Sequence, residues 1–418
     1  MSKTWYRELS WLTLLLWLVL VSTGLVAIYS ATHGPSAEFL AASVRNNFQR
    51  QLMWVGLSTL GIILVLSLPV RFYRAIAYPL YVFTTGLLVA VLLFGKEVNG
   101  AKSWLYIGGV GIQASELAKV GTLLAVARLL SVREARRDMV RYAMLAVGLI
   151  LLPAVIIILQ NDAGTSLVFL ALIPAVLFWS GFPLPIVGLL ISPALAGYFA
   201  ILSPWLAAGF TLLFGLIMYL STRERYLGIA GILLPGITTV ITLVALHHIL
   251  KPHQIARIAS FVHPEQYRLT TGFHVIQARA AIGSGGLFGK GFMQGTQTQL
   301  AFVPEQSTDF IFCVIGEEFG FVGGVTVLIL FTLLFIHMLR QGSKVKHPFA
   351  HLFAVGAVWV LFTHVLINIG MATGLLPVIG IPLPFISYGG SAMLAHTALV
   401  ALVLNFAMRK QEFSIYGY

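Results

Sequence analysis

Long apolar stretches, most of them roughly 17–24 residues, alternate with short polar connections along the whole chain. A helix needs about 20 residues to cross some 30 Å of hydrocarbon, and it satisfies every backbone N–H and C=O internally. The pattern predicts helices near 10–32, 51–69, 75–95, 113–130, 142–159, 165–181, 186–202, 206–220, 227–249, 309–338, 350–370 and 389–407, twelve in all. The first follows a basic tip, Lys3 and Arg7, as a signal peptide would, but its length and the spans behind it read as a retained helix. Composition points the same way. With 58% hydrophobic and 10% charged residues and a mean hydropathy of +0.92, no water-soluble domain of 418 residues could hide its apolar side chains in a core. The expected class is all-α: a polytopic integral membrane protein, 1–418 forming a single membrane domain with no internal repeat or low-complexity tract.

Charge sets the expected orientation. Alternating the sides collects Arg71 and Arg74, Arg133, Arg136, Arg137 and Arg141, Arg223 and Arg225, Arg340, Lys344 and Lys346, and Arg409 and Lys410 on one face. That face, with both termini, is cytoplasmic by the excess of cations in cytoplasmic loops. The net charge of +12 is therefore mostly a topology signal, and its scatter over short loops excludes a nucleic-acid-binding arm. The opposite face carries polar segments at 33–50, 96–112, 250–308 and 371–388, of which 250–308 is the large extracytoplasmic loop. Loops this long in a compact protein are usually functional. Their cations, Arg45, Lys96, Lys102, Arg257, Arg268, Arg279 and Lys290, run against the orientation rule. An anionic ligand is the simplest use for them, and pairing with Glu97, Glu265 or lipid phosphate is the alternative.

The stretch PEQSTDFIF (304–312) puts one carboxylate, Asp309, where a polar loop meets an apolar helix. Ionisable groups at membrane depth are costly, which marks Asp309 as a site candidate; Ser307-Thr308-Asp309 also reads as a simple helix cap. Two further polar insertions lie on the same side. GIQASELAK (111–119) opens a helix with Ser115, Glu116 and Lys119, the last two spaced i,i+3 on one face, and LQNDAGTS (159–166) opens another with Asn161 and Asp162, the latter a cap for 163–166. Glu116, Asp162 and Asp309, with Lys119 and the loop cations, could line a charged outward cavity. For Glu116 and Lys119 the competing reading is a salt bridge between helices. IGSGGLFGKGF (282–292) fails as a nucleotide loop, since a phosphate-binding loop ending at Lys290 would need glycine at Ser284 and a hydroxyl at Gly291. Its glycines instead predict tight turns and close backbone approach beside Lys290. His247, His248 and His253 lack an acidic or cysteine co-ligand and read as a helix end at the interface. Cys313, the only cysteine, reads as packing.

Four stretches together resemble one family. NGAKSWLYIGGVGIQASELAK (99–119), the 159–166 segment, GFHVIQARAAIGSGGLFGKGFMQGTQTQLAFVPEQSTDFIFCVIGEEFG (272–320) and NIGMATGLLPVIGIPLPFISYGGSAM (368–393) are similar, in order and over nearly the whole chain, to the SEDS proteins of shape, elongation, division and sporulation. GTQTQLAFVPEQSTDFIF (295–312) is closest to the elongation, or RodA, branch. The resemblance implies a peptidoglycan glycosyltransferase of the bacterial cytoplasmic membrane, polymerising lipid II into glycan strands on the outer face. It further implies a class B penicillin-binding protein as partner, beside other membrane proteins of the elongation complex. The alternatives are a lipid II flippase, a scaffold that only activates its partner, or a polymerase of the FtsW or SpoVE type serving division or sporulation.

Asp309 matches the family's essential aspartate, so the resemblance makes it the general base. Lys119, Glu116, Asp162, Lys102, Arg257, Arg279 and Lys290 are the expected substrate-binding set, with Mg²⁺ or Mn²⁺ as an allowed cofactor and no organic one. Two departures stand out. Asn161-Asp162-Ala163-Gly164 replaces the usual Pro-Asp-Leu-Gly and keeps the acid, whereas His263-Pro264-Glu265 replaces Asp-Pro-Glu and loses it. The family core has ten spans, so 184–226 reads as an inserted hairpin that leaves every later loop on its side.

Overall fold

The computed structural model describes residues 8–35, 40–98, 100–107, 110–249, 252–267 and 272–415. Lys3, Arg7 and Arg268 fall outside them. The chain packs as two compact units, one of residues 1–173, 277–375 and 379–418, the other of 174–276 with 376–378.

The first half of the larger unit contains α1 (Trp11–His33), α2 (Ala42–Arg45), α3 (Asn47–Ser67), α4 (Val70–Phe94), the strands β1 (Lys96–Val98), β2 (Ala101–Ile107) and β3 (Val110–Gln113), α5 (Ala114–Leu130), α6 (Arg133–Arg137), α7 (Met139–Leu159) and the start of α8 (Ala163–Trp179). The smaller unit holds α9 (Leu184–Leu202), α10 (Pro204–Thr222), α11 (Arg225–Val244) running into a π-helical turn at Ala245–Ile249, and α12 (Pro252–Val262). After α13 (Gly272–Ser284) the larger unit resumes with α14 (Thr296–Gln299), α15 (Ile311–Glu318), α16 (Gly320–Ser343), α17 (Pro348–Ala372), α18 (Gly390–Met408) and α19 (Lys410–Ile415).

Among the described residues, ten helices are long and apolar enough to cross a membrane, and α5 and α8, of 17 residues each, fill the other two predicted positions. The physical reason is local. A run of large aliphatic side chains stabilises any segment whose backbone is satisfied within lipid, and a helix does that alone. Its ends follow local chemistry too: Ser203 is extended, its Oγ accepts from Trp205 N at 3.3 Å, and Pro204 takes the first position of α10, where a missing N–H costs nothing.

Three departures from the sequence reading matter for the site. The polar segment 96–113 is a three-stranded antiparallel sheet in the order β1-β2-β3, pairing Glu97 with Lys102 and Trp104 with Gln113. The segment 250–308 is partly helical rather than one long loop. The predicted helix 309–338 is broken at Phe319, because Gly320 adopts φ +65 and a Cβ there would lie 2.3 Å from Gly289 N. The predicted close approach of the 282–292 glycines is seen here: Lys290 N and Gly291 N donate to the carbonyls of Glu317 and Glu318 at 3.0 Å each, and Phe321 N to Gly286 O at 2.9 Å.

α17 and α18 form the centre of the larger unit, with 72% and 89% of their membrane-length windows buried. Both carry polar residues in the interior, His364, Asn368, His396, Thr397 and Asn405, where lipid-facing helices carry leucine and isoleucine.

Candidate active site

Asp309 stands in an irregular turn that the chain can make only by placing Ala301 (φ 56) and Glu305 (φ 52) in the left-handed region. Helix α15 starts two residues later, with Phe310 in the cap position and no side-chain cap bond there, so Asp309 lies outside the cap position that its sequence suggests. Three successive carbonyls of the turn are caught by donors further along the chain, two from the irregular 379–389 stretch and one from α17. Ser307 O accepts from Tyr388 N at 2.9 Å, Thr308 O from Ser387 Oγ at 2.5 Å, and Asp309 O from Asn368 Nδ2 at 2.9 Å. Asn47 Nδ2 holds Ser307 Oγ at 3.0 Å from the other side. Gly380, at φ +82, brings its backbone against the carboxylate: a Cβ on it would sit 3.4 Å from Asp309 Oδ2. The carboxylate is half-buried in a turn whose backbone is fixed.

A second cluster joins α5, α17 and α18. Lys119 Nζ donates to Glu116 Oε1 at 2.8 Å, which makes the i,i+3 salt bridge, and stands 2.7 Å from His364 Nε2. His364 Nδ1 lies 3.2 Å from Pro382 O, which can only accept, so Nδ1 carries the proton and Nε2 accepts from the ammonium. His396 Nε2 approaches Glu116 Oε2 to 3.6 Å, too far for a hydrogen bond, and neither atom has another partner among the described residues. All four side chains are within 2% of full burial. Gln113, which precedes α5, links the two polar openings: its backbone N donates to Ser391 Oγ at 3.3 Å and its Nε2 donates to Asp162 Oδ2 at 3.1 Å. Asp162 caps α8 as its spacing predicts, accepting from Thr165 N at 3.0 Å and Thr165 Oγ1 at 2.9 Å.

Glu116, His364 and His396 are the one group of acids and histidines among the described residues whose donor atoms fall within 4.8 Å of one another. They do not fit Mg²⁺ or Mn²⁺. Those ions favour oxygen ligands and octahedral geometry, and Mg²⁺ keeps several of its waters, whereas this set is nitrogen-rich and buried. The position between Glu116 and His364 is also taken by the ammonium of Lys119, a cation that the chain supplies itself.

The other expected ligands are dispersed. Lys102 is exposed on β2, with its N–H on Gln160 O at 2.9 Å. Arg279 is exposed on α13, and the side chain of Arg257 on α12 lies outside the described residues. Lys290 does not stand open to a ligand. Its Nζ lies 2.7 Å from each of Ser284 Oγ, Thr296 Oγ1 and Glu317 Oε1. Glu317, fully buried, also accepts from Gln297 N at 2.9 Å, Thr298 N at 2.9 Å and Thr298 Oγ1 at 2.8 Å. Burial pushes its pKa up, but these bonds outweigh burial and hold it at about 2. Burial raises the pKa of neighbouring Glu318, against bonds from Ser30 Oγ and Gln299 Nε2.

Sequence reasoning missed His364, His396, Asn368 and Glu317. The available signal was a polar or ionisable residue inside an apolar run, the same signal that found Asp309.

The family model FTSW_RODA_SPOVE, described as "Cell cycle protein", matches residues 10–210 and 194–412. The chain is 33% identical over 435 residues to "Peptidoglycan glycosyltransferase RodA" of Treponema pallidum, covering 97% of this chain and 98% of that one. It is 33% identical over 367 residues to "Peptidoglycan glycosyltransferase MrdB" of Escherichia coli K12, covering 88% and 87%. Its fold is similar, at a TM-score of 0.72 and 28% identity over 97% of this chain and 99% of the other, to a chain from a structure described as "Structural coordination of polymerization and crosslinking by a peptidoglycan synthase complex".

Proposed function

This chain belongs to the FtsW/RodA/SpoVE family of cell cycle proteins, and we propose from that premise that Asp309 is the base of its polymerisation reaction. The protein is a multi-pass membrane peptidoglycan glycosyltransferase of the RodA kind. In the proposed step the 4-hydroxyl of a lipid II GlcNAc attacks the anomeric carbon of the growing chain's MurNAc. The new C–O bond forms as the bond to undecaprenyl pyrophosphate breaks, with inversion from α to β. The proton of the hydroxyl passes to the Asp309 carboxylate, and the leaving pyrophosphate keeps the electron pair.

One observation supports this assignment above the others: Asp309 is a half-buried carboxylate whose backbone carbonyl is fixed by Asn368 and whose side chain faces the bare backbone of Gly380. With glycine at 380, no side chain covers the carboxylate from that side, which leaves room there for a substrate hydroxyl. Arg279 and Lys102, exposed on α13 and β2, are the described cations suited to the pyrophosphate. Lys290 is assigned instead to holding the 284–298 segment through Glu317, and Lys119 to neutralising Glu116. The cation bias of the loops supports an outer-face site and cytoplasmic termini. The relative drawn from a synthase complex supports a crosslinking partner, which we assign to the class B penicillin-binding proteins.

The test is a gel-based polymerisation assay on lipid II with the partner present. Asp309→Asn should insert and accumulate normally yet make no strands. Near-normal polymer from a well-expressed variant would sink the base assignment, and lipid movement without new glycosidic bonds in the wild type would favour a flippase.

A further inference from the structure

We propose that Asn368 is the positioning residue of the site: from the core helix α17 it sets where the Asp309 carboxylate stands. This rests on Asp309 being the base. The amide of Asn368 has two N–H bonds and spends one on each of two carbonyls, Asp309 O at 2.9 Å and Ile381 O at 2.8 Å. Both carbonyls belong to segments without helix or strand, so neither has a regular backbone partner and each needs a donor from elsewhere. Ile381 is 1% exposed, so at its carbonyl a protein group rather than solvent supplies that donor, and Asn368, itself 0% exposed, supplies it to both.

The cost of the arrangement is visible in the same residue. Asn368 Oδ1 is buried with no hydrogen-bond partner among the described residues. An amide with an unpaired acceptor in the centre of a membrane protein loses stability relative to a well-packed leucine, so its presence calls for a use.

Geometry supplies that use. Ser307 O and Thr308 O are held by Tyr388 and Ser387, which sit in the irregular 379–389 stretch rather than on a helix. Asp309 O alone is held from a long buried helix, and it is the carbonyl on the reacting residue itself. One turn earlier on α17, His364 Nδ1 holds Pro382 O at 3.2 Å while Nε2 faces Lys119. Through Asn368, α17 therefore holds the Asp309 turn and the Ile381 backbone beside Gly380, and through His364 one turn earlier it holds Pro382 and meets the Glu116–Lys119 pair.

The molecule carries its own control. Asn405 on α18 is also 0% exposed, also leaves Oδ1 unpartnered among the described residues, and also holds backbone carbonyls, Val65 O at 2.8 Å and Leu68 O at 2.9 Å, at the C-terminal end of α3. The two asparagines carry the same structural duty, but only Asn368 touches the Asp309 turn.

The experiment compares Asn368→Leu with Asn405→Leu in the full chain with its crosslinking partner, reading kcat and KM for lipid II polymerisation beside the unfolding midpoint in detergent. Asn368→Leu should lower kcat at least tenfold with KM changed less than threefold. Asn405→Leu should shift the midpoint by a similar amount and keep kcat within threefold of wild type. If Asn368→Leu does not accumulate, Asn368→Ala gives the same comparison, since it removes the donors without adding bulk or charge. A retained kcat in the Asn368 variant, or an equal loss in both, overturns the proposal. An active Asp309→Asn would remove its premise instead, and an inactive Asp309→Asn beside an active Asn368→Leu would reject positioning while leaving the base in place.

Discussion

Neutralising Glu317 by Glu317→Gln should weaken the fold by about 3 kcal/mol at pH 7 without touching the reacting groups. The magnitude follows from its bonds. A carboxylate held at a pKa of about 2 instead of 4.5 contributes roughly 2.5 times 1.36 kcal/mol, about 3 kcal/mol, to the folded state. The sign is that of a depressed acid: the contribution is complete above pH 4.5, fades as pH falls, and is more than half gone by about pH 3. Unfolding midpoints of wild type and Glu317→Gln, followed in detergent from pH 7 to pH 3, should therefore converge on acidification. Lys290→Gln should destabilise in the same way, and the double variant should cost less than the sum, because Lys290 Nζ and Glu317 Oε1 share one contact at 2.7 Å. The opposite outcome is equally readable. If Lys290→Gln left unfolding unchanged and raised KM for lipid II, Lys290 would be a pyrophosphate ligand and the strap reading would fail.

Lys119→Met should destabilise by about 3–5 kcal/mol, the range for stripping a buried charge of its partner, and adding Glu116→Gln should recover part of the loss in the same unfolding measurement; no recovery would mean Lys119 is needed for something other than Glu116. Gly289→Ala should reduce folded yield sharply, since its Cβ would meet Glu318 O at 2.1 Å. Gly286→Ala, with positive φ but open space, should cost only about 1 kcal/mol, so equal losses would refute the close-approach account.

Most of the membrane helices and of their ends were legible in the chain because they depend on neighbours in sequence: an apolar run of sufficient length satisfies its own backbone wherever it lies in lipid, and among the described residues ten of the twelve predicted spans are long enough to cross it. Asp309, Glu116, Lys119 and Asp162 stood out for the same reason, each being an ion in an apolar context, and two local geometries, the i,i+3 pair and the Asp162 cap, could be read from spacing. What spacing cannot carry is partnership across the fold. Lys290 looked like a spare cation because Glu317, 27 residues away, lay inside an apparently continuous helix; only the backbone contact between Gly289 and Gly320 breaks that helix and brings the carboxylate to it. The small sheet at 96–113 escaped because three short strands have too few residues to show a period, and pairing alone stabilises them. Asn368 and His364 are one polar turn in a buried helix by sequence. They become a clamp only when the 307–309 and 379–389 segments, which cannot satisfy their own carbonyls, fold against them, a demand set by burial and met by whichever donor the tertiary structure brings within 3 Å or so.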